Sequence, residues 1–393
     1  MASLNSKTEN GVLTLCIAGR VDSTNAAQLE NEINLVTSEG NYSSVIIDAS
    51  ELEYISSAGL RIILRLKKNN PSLKIINVSS EVYEILDMTG FTEMMTVEKA
   101  YRVINVDGCE VIGKGANGEV YRIDPDTIVK VYLNPDSLSD IQRERELARR
   151  AFVLGIPTAI PYDVVKVGSD YGSVFELLNA KSFAKLIASE PENIDKYIEM
   201  YIDLAKKIHS TAVKPGDMPS MKQEAMKWAT YFKGILSDEQ TDKLIKLVND
   251  VPDDMNMLHG DYHVKNAMMQ NGEILLIDMD TLCHGNPVFE LSAMYNAYVG
   301  FTENHPEIRG EFLGISASQC EYIWQKSKKL YFGTDDTDTL KEKEDKIRLV
   351  SYMRIARRIR KRLDMTDEKV VNDYNYYISA LTNLLEKVDS IAL

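Results

Sequence analysis

Cysteine is scarce: four residues in 393, Cys16, Cys109, Cys283 and Cys320, widely spaced and with no CxxC pair. That excludes a disulfide scaffold and a cysteine zinc site, and reduced thiols are expected. Positive charge is also in deficit, with 45 Lys and Arg against 59 Asp and Glu and a net charge of −14. A general nucleic-acid binder needs a basic footprint to displace phosphate counterions, so that class is set aside. Residues 1–100 hold 8 basic and 13 acidic side chains, so the acidity is spread along the chain and is not an acidic tail. No run of about eighteen apolar residues occurs, so no membrane span is expected. The opening MASLNSKTENG has no apolar core of the kind a secretory leader carries, and a cytoplasmic protein is expected. Low-complexity linkers and internal repeats are lacking too.

What remains is an ordinary globular composition, 44% hydrophobic and 26% charged, long enough for two or three domains. Residues 1–99 alternate short apolar runs with amphipathic stretches. The segments at 11–20, 43–50 and 73–79 read as strands, and those at 25–36, 56–70 and 81–90 as helices. Such alternation predicts a compact α/β domain. Residues 101–132 are strand-rich, with a glycine turn, and from about 183 the pattern is helical, as in KYIEMYIDLAKKIHS (196–210) and YMRIARRIRKRL (352–363).

Three signals carry chemistry. Gly113-Lys-Gly115-Ala-Asn-Gly118-Glu-Val120 is a GxGxxG lying between two strand-like runs. Alone, such a motif also fits a tight turn or a dinucleotide fingerprint. Its strand–strand setting favours a hairpin lid over phosphates, which glycines let the backbone approach closely. Lys130 sits in the apolar strand Ile128-Val129-Lys130-Val131, twelve residues after Gly118, and needs a carboxylate partner from the helix at 141–151. Glu144 and Glu146 are the candidates, and the spacing favours Glu146. The third signal is His259-Gly-Asp261-Tyr-His263-Val-Lys-Asn266, followed by LLIDMD (275–280) with Asp278. Phosphoryl transfer needs a carboxylate at the attacking hydroxyl, the task that suits Asp261. It also needs oxygen ligands for magnesium, which Asn266 and Asp278 supply.

This set resembles the aminoglycoside phosphotransferase and choline kinase branch of the protein-kinase-like fold, over residues 102–390. His259, Asp261, His263, Asn266 and Asp278 match the family motif. The resemblance implies a two-lobed α+β fold, with one lobe at 100–178 and a helical lobe at 179–393. It also implies ATP, Mg2+ and transfer to a small-molecule hydroxyl. His263 and the absence of an activation segment after Asp278 set the chain apart from protein kinases. Gly285-Asn-Pro287-Val-Phe-Glu290-Leu291 is similar to the family's GxPxxDL run, with Glu for Asp at a supporting contact. Val120, Phe175 and Met268, with Ile112, Ile128 and Leu178, are the expected adenine pocket. His209 and His305 match nothing in the motif and read as ordinary surface or core residues. Asp280 is either an accessory to the metal or a loop carboxylate. The basic run at 354–362 reads as a solvated helical face, with an anionic substrate or the other domain as its alternative partners.

The stretch LEYISSAGLRIIL (52–64) resembles the signature of STAS domains, the anti-sigma-factor antagonist family, over residues 5–98. The resemblance places a regulatory phosphorylatable serine at Ser57, where a helix N-terminus would favour a phosphate. Ser56 stands where that family usually has Asp. The resulting reading is an α/β STAS domain (1–99) fused to an ATP- and Mg-dependent phosphotransferase. The STAS domain would meet a regulatory protein. The alternative is a partner-switch protein whose kinase-like part senses nucleotide or phosphorylates a protein serine.

Overall fold

The computed structural model describes residues 2–39, 42–114, 118–134 and 137–393. The elements in chain order begin with β1 (Ser3–Glu9), β2 (Val12–Val21), α1 (Ala26–Glu39), β3 (Ser44–Ile55), α2 (Ser57–Asn69), β4 (Lys74–Val78), α3 (Ser80–Met88), α4 (Phe91–Met94) and β5 (Val97–Lys99). They form one compact unit, residues 1–105 with 165–168. Its sheet runs β1-β2-β3-β4-β5, antiparallel at β1–β2 and parallel thereafter. Leu13, Leu15 and Ile17 of β2 are buried, alternating with half-buried Thr14 and Cys16, so one strand face makes the core. Gly59, Ile62, Ile63 and Leu66 form the matching buried stripe of α2. A Cβ on Gly59 would come within 2.6 Å of Ile55 Cγ1, so this helix packs on the sheet only because the position is glycine.

The second unit holds residues 106–164 and 169–393. After a short β6 (Arg102–Val103), the chain runs through β7 (Glu110–Lys114), β8 (Gly118–Asp124), β9 (Thr127–Tyr132), α5 (Leu138–Val153), β10 (Asp163–Val167) and β11 (Asp170–Glu176). Strands β7, β8, β9 and β11 neighbour one another in the order β7-β8-β9-β11, all antiparallel. There follow β12 (Lys181–Ser182), α6 (Phe183–Ser189), α7 (Ile194–Ser210), α8 (Met221–Thr230), α9 (Asp238–Asn249), β13 (Met257–Leu258), β14 (Ala267–Gln270), β15 (Glu273–Leu276), β16 (Cys283–His284), α10 (Pro287–Tyr298), α11 (Ala317–Phe332), α12 (Thr337–Arg362) and α13 (Glu368–Leu385). The dominant core is helical, with Trp324, Tyr201, Tyr295, Tyr352 and Phe232 fully buried. α10 starts cleanly: Pro287 occupies its first turn and the Asn286 side chain accepts from Val288 N–H at 3.1 Å. Among the described residues, no helix is long and apolar enough to cross a membrane.

Candidate active site

The register of the second sheet sets one wall of the site. Val120 faces Lys130 across β8–β9, Ser173 faces Lys130 across β9–β11, and Phe175 faces Ile128. Directly opposed residues share a sheet face, so Val120, Ile128, Lys130 and Phe175 all point to one side. Gly118 is demanded by packing: a Cβ there would lie 2.2 Å from the Val131 carbonyl oxygen. At Gly113 a Cβ would sit 3.6 Å from Val120, an ordinary contact. Gly115 lies outside the described residues.

Lys130 Nζ lies 3.2 Å from Glu144 Oε1 and 2.9 Å from Asp278 Oδ1. The expectation for Glu146 is corrected here. Glu146 pairs with Arg150 at 2.8 Å on the outer face of α5, while Glu144 is buried at 4% exposure. Helical phase decides it: Ile141, Glu144, Leu147, Ala148 and Ala151 form the buried stripe, and position 146 points away from it. Tyr132 Oη donates to Glu144 Oε2 at 2.6 Å and fixes the carboxylate from behind. Burial opposes the charge on Lys130, but the Glu144 and Asp278 charges outweigh it and its pKa rises.

The segment 257–266 presents the second set. Gly260 adopts φ +84°, and a Cβ would lie 2.4 Å from Thr281 O, so only glycine fits the turn. Its N–H donates to Glu290 Oε1 at 3.0 Å, and the His259 N–H donates to Oε2 of the same carboxylate. Thr281 Oγ1 donates to His259 O at 2.8 Å. Glu290 is fully buried, and His209 Nε2 stands 3.7 Å behind it. Burial would raise the Glu290 carboxyl, but His209, His259 and its backbone donor hold it below its ordinary value. Tyr201 and Tyr262 stack at 4.3 Å, and each hydroxyl donates to the other residue's carbonyl, at 2.9 and 2.7 Å.

On this scaffold Asp261 keeps an accessible carboxylate, with His263 Nε2 3.5 Å from Oδ2. Burial would raise its pKa, yet the His263 hydrogen bond and the His263, Arg354 and His259 charges bring it below the usual value. His263 itself is buried edge-on to Phe312. Asn266 Nδ2 donates to Asp261 O at 3.0 Å, leaving the amide oxygen free to ligate. Asp278 holds a left-handed φ of 63° and leads into a 3₁₀ turn, Met279–Thr281. Asp280 is pushed up to about 7, first by burial and then by the charges of Asp278 and Glu144. Met268 lies on β14, half-buried.

The sequence profile of the phosphotransferase enzyme family matches residues 108–316, more than half of the chain, and the STAS domain profile matches residues 3–103. The chain belongs to the phosphotransferase enzyme family. It also carries a STAS domain. BtrV of Bordetella bronchiseptica, a protein named as an anti-sigma factor antagonist, is 35% identical over 92 residues, covering 22% of this chain and 78% of that protein. Solved structures similar to the chain include aminoglycoside phosphotransferase APH(4)-Ia, at 12% identity, 71% of this chain, 93% of that chain and a TM-score of 0.48. Another is ADP-bound APH(2'')-Ib, at 13% identity, 78% of this chain, 99% of that chain and a TM-score of 0.47.

Within this phosphotransferase, Tyr132, Thr281 and His209 are supporting residues that the motifs did not point to. His209 falls on the α7 stripe of Tyr201, Ile202, Ala205 and Ile208, so its burial is readable but its carboxylate partner is not. The basic run of α12 is not a simple solvated face. Arg354 and Arg357 are half-buried, and their guanidiniums lie over Trp228 and Tyr231. In the STAS domain Ser57 is exposed at the first turn of α2, with Ser56 as N-cap residue.

Proposed function

We propose that the chain transfers a phosphoryl group from ATP, with Mg2+, to the hydroxyl of a small molecule, and that its STAS domain binds a regulatory protein. The observation that carries the reading is Lys130 held between Glu144 and Asp278, in the same unit as an Asp261 carboxylate anchored through Gly260. Lys130 would hold nucleotide phosphates beneath the paired strands β7 and β8, which carry Gly113 and Gly118. Val120, Phe175 and Met268 would flank the base. Asn266 and Asp278 would hold magnesium. Two protein oxygens suit this ion, which keeps water and phosphate oxygens as its other ligands. Lys130 takes Asp278 Oδ1 at 2.9 Å, and the carboxylate, 43% exposed, keeps its second oxygen for an added cation. When bound, MgATP supplies the γ-phosphoryl group and the charge neutralisation for its transfer.

Asp261 orients the acceptor hydroxyl and takes its proton as the oxygen–phosphorus bond forms and the bond to the β,γ-bridging oxygen breaks, releasing ADP. A carboxylate held below its ordinary pKa is a weak base, so positioning is its larger contribution and proton uptake comes late. His263 orients that carboxylate, and His259, with both ring and backbone tied down, fixes the turn. The domain reading is STAS at 1–99, a smaller lobe at 100–178 and a helical lobe at 179–393. Ser57 is proposed as the regulatory serine, since exposed N–H groups at a helix start favour an attached phosphate.

The test is steady-state ATP turnover by the full chain and by Asp261→Asn over a panel of hydroxyl acceptors. Acceptor-dependent ADP release, lost about a thousandfold or more in the variant, is the expected result. Saturable ATP binding with no acceptor-dependent turnover would refute it. That outcome would favour the partner-switch reading, to which the 35% identity with an anti-sigma factor antagonist lends its weight.

A further inference from the structure

The last turns of α12 carry Arg354, Arg357, Arg358, Arg360, Lys361 and Arg362 in a chain whose net charge is −14. Arg354, Arg357 and Arg358 lie at i, i+3 and i+4, hence on one helix face. Among the described residues none of the three has an ion-pair or hydrogen-bond partner, and the Arg357 Nε is buried with nothing to donate to. Each guanidinium instead lies over a ring: Arg354 over Trp228 at 5.5 Å, Arg357 over Tyr231 at 5.8 Å and Arg358 over Phe301 at 5.0 Å. The rings come from the C-terminal end of α8, with Tyr231 just past it, and from the turn after α10, so two separate segments pre-position the cations.

Helix α12 packs on α10, whose Glu290 accepts from the His259 and Gly260 N–H groups and so holds the turn that carries Asp261. Arg354 is among the charges that lower Asp261, and Arg358 feels the Asp261 charge in return. A buried donor without an acceptor costs free energy, and like charges side by side add to it. Planar guanidiniums fixed on rings suit two-pronged binding of a carboxylate or phosphate. A cationic acceptor would meet three like charges next to Asp261.

We infer that the phosphate acceptor is an anionic small molecule, a hydroxyl compound bearing a carboxylate or phosphate group that docks on Arg354, Arg357 and Arg358 with its hydroxyl toward Asp261. The inference rests on the phosphotransfer reading and narrows its substrate class.

The experiment has two readouts on the full chain. The first is initial-rate kinetics with MgATP on glycerol 3-phosphate, glycerate, glycerol, ethanolamine and an aminoglycoside. The two anions separate phosphate from carboxylate recognition. The expected result is turnover of an anionic member, with KM raised about tenfold or more in Arg357→Gln/Arg358→Gln and kcat changed far less, the weight of one or two charge-assisted hydrogen bonds. Arg358→Gln alone, at an exposed position, guards against misfolding of the double variant. The second readout is Trp fluorescence, since Trp228 lies under Arg354 and only two tryptophans are present. Glycerol 3-phosphate or glycerate is expected to give a saturable change that the double variant loses. Turnover of glycerol, ethanolamine or the aminoglycoside alone, indifferent to the arginine variants, overturns the anionic acceptor and leaves phosphotransfer standing. A saturable anion response without any turnover upholds the anion site and refutes the phosphotransfer reading. Neither turnover nor response overturns both. Binding of a phosphoserine peptide but of neither small anion also overturns the small-molecule inference.

Discussion

Replacing Glu290 by Ala removes both oxygens on which the His259 and Gly260 N–H groups end. The carboxylate is 1% exposed, so solvent does not take its place without opening the core. Two stranded buried donors cost roughly 1–3 kcal/mol each. Relief of the buried charge offsets part of this. A net local loss of about 3 kcal/mol follows, which is roughly a hundredfold in an opening equilibrium. Asp261 follows Gly260 directly, so the loosened turn no longer aims the carboxylate proposed to meet the acceptor. The Lys130–Glu144 pair is held independently through Tyr132. The expected phenotype is therefore a fall in kcat of about a hundredfold with a smaller change in nucleotide KM. The direct assay is hydrogen exchange at residues 259 and 260 in the full chain, read by mass spectrometry of fragments. Protection there should drop about a hundredfold in Glu290→Ala and by less in Glu290→Gln, which keeps one acceptor. The pH dependence has a defined sign. The folded-state pKa is depressed, so the contribution is present above the unfolded value near 4.3 and is lost as pH falls through the lower folded value. Unchanged exchange at these two amides in Glu290→Ala would show that Glu290 does not hold the turn.

Glu144→Gln should raise the KM for ATP about tenfold, whereas Glu146→Gln should leave it within experimental error; equal effects would remove the assigned Lys130 partner. Gly118→Ala should weaken nucleotide binding, because the new Cβ would lie 2.2 Å from a backbone carbonyl in β9, while Gly113→Ala should be mild. Calorimetric titration with an ATP analogue separates the two, and equal losses would contradict the packing argument. His305 is bound to Asp373 at 2.7 Å and to Glu307 at 3.1 Å, and these partners raise its pKa. Its stabilisation is complete below the unfolded value near 6.5 and is lost as pH rises through the higher folded value. The melting-temperature gap between wild type and His305→Gln should therefore be wider at pH 5.5 than at pH 8.5, and an equal or reversed gap would refute the assignment.

The features legible in the sequence share a property: they are local. Strand alternation in β2, the β7–β8 strands on either side of the glycine motif and the HGDxHxxN spacing are each set within about ten residues, the range over which backbone periodicity acts. The partner of Lys130 was nearly legible. Ile141, Leu147, Ala148 and Ala151 define an apolar stripe that includes position 144 and excludes 146, so helical phase, rather than distance along the chain, carries that information. The arginine face was not legible for a different reason. Within α12, Arg354, Arg357 and Arg358 alternate with buried Ile355, Ala356 and Ile359 and read as the solvated side of an amphipathic helix. The half-burial of Arg354 and Arg357 and the ring beneath Arg358 come from Trp228, Tyr231 and Phe301, which lie between 57 and 126 positions from the arginines they face. The same holds for Glu290 and His209, 81 residues apart. Both cases place a charge by a partner that no periodicity announces. In this chain, therefore, the motifs are local in sequence, while the pairings that place Lys130, Glu290 and the arginines of α12 are made across the fold.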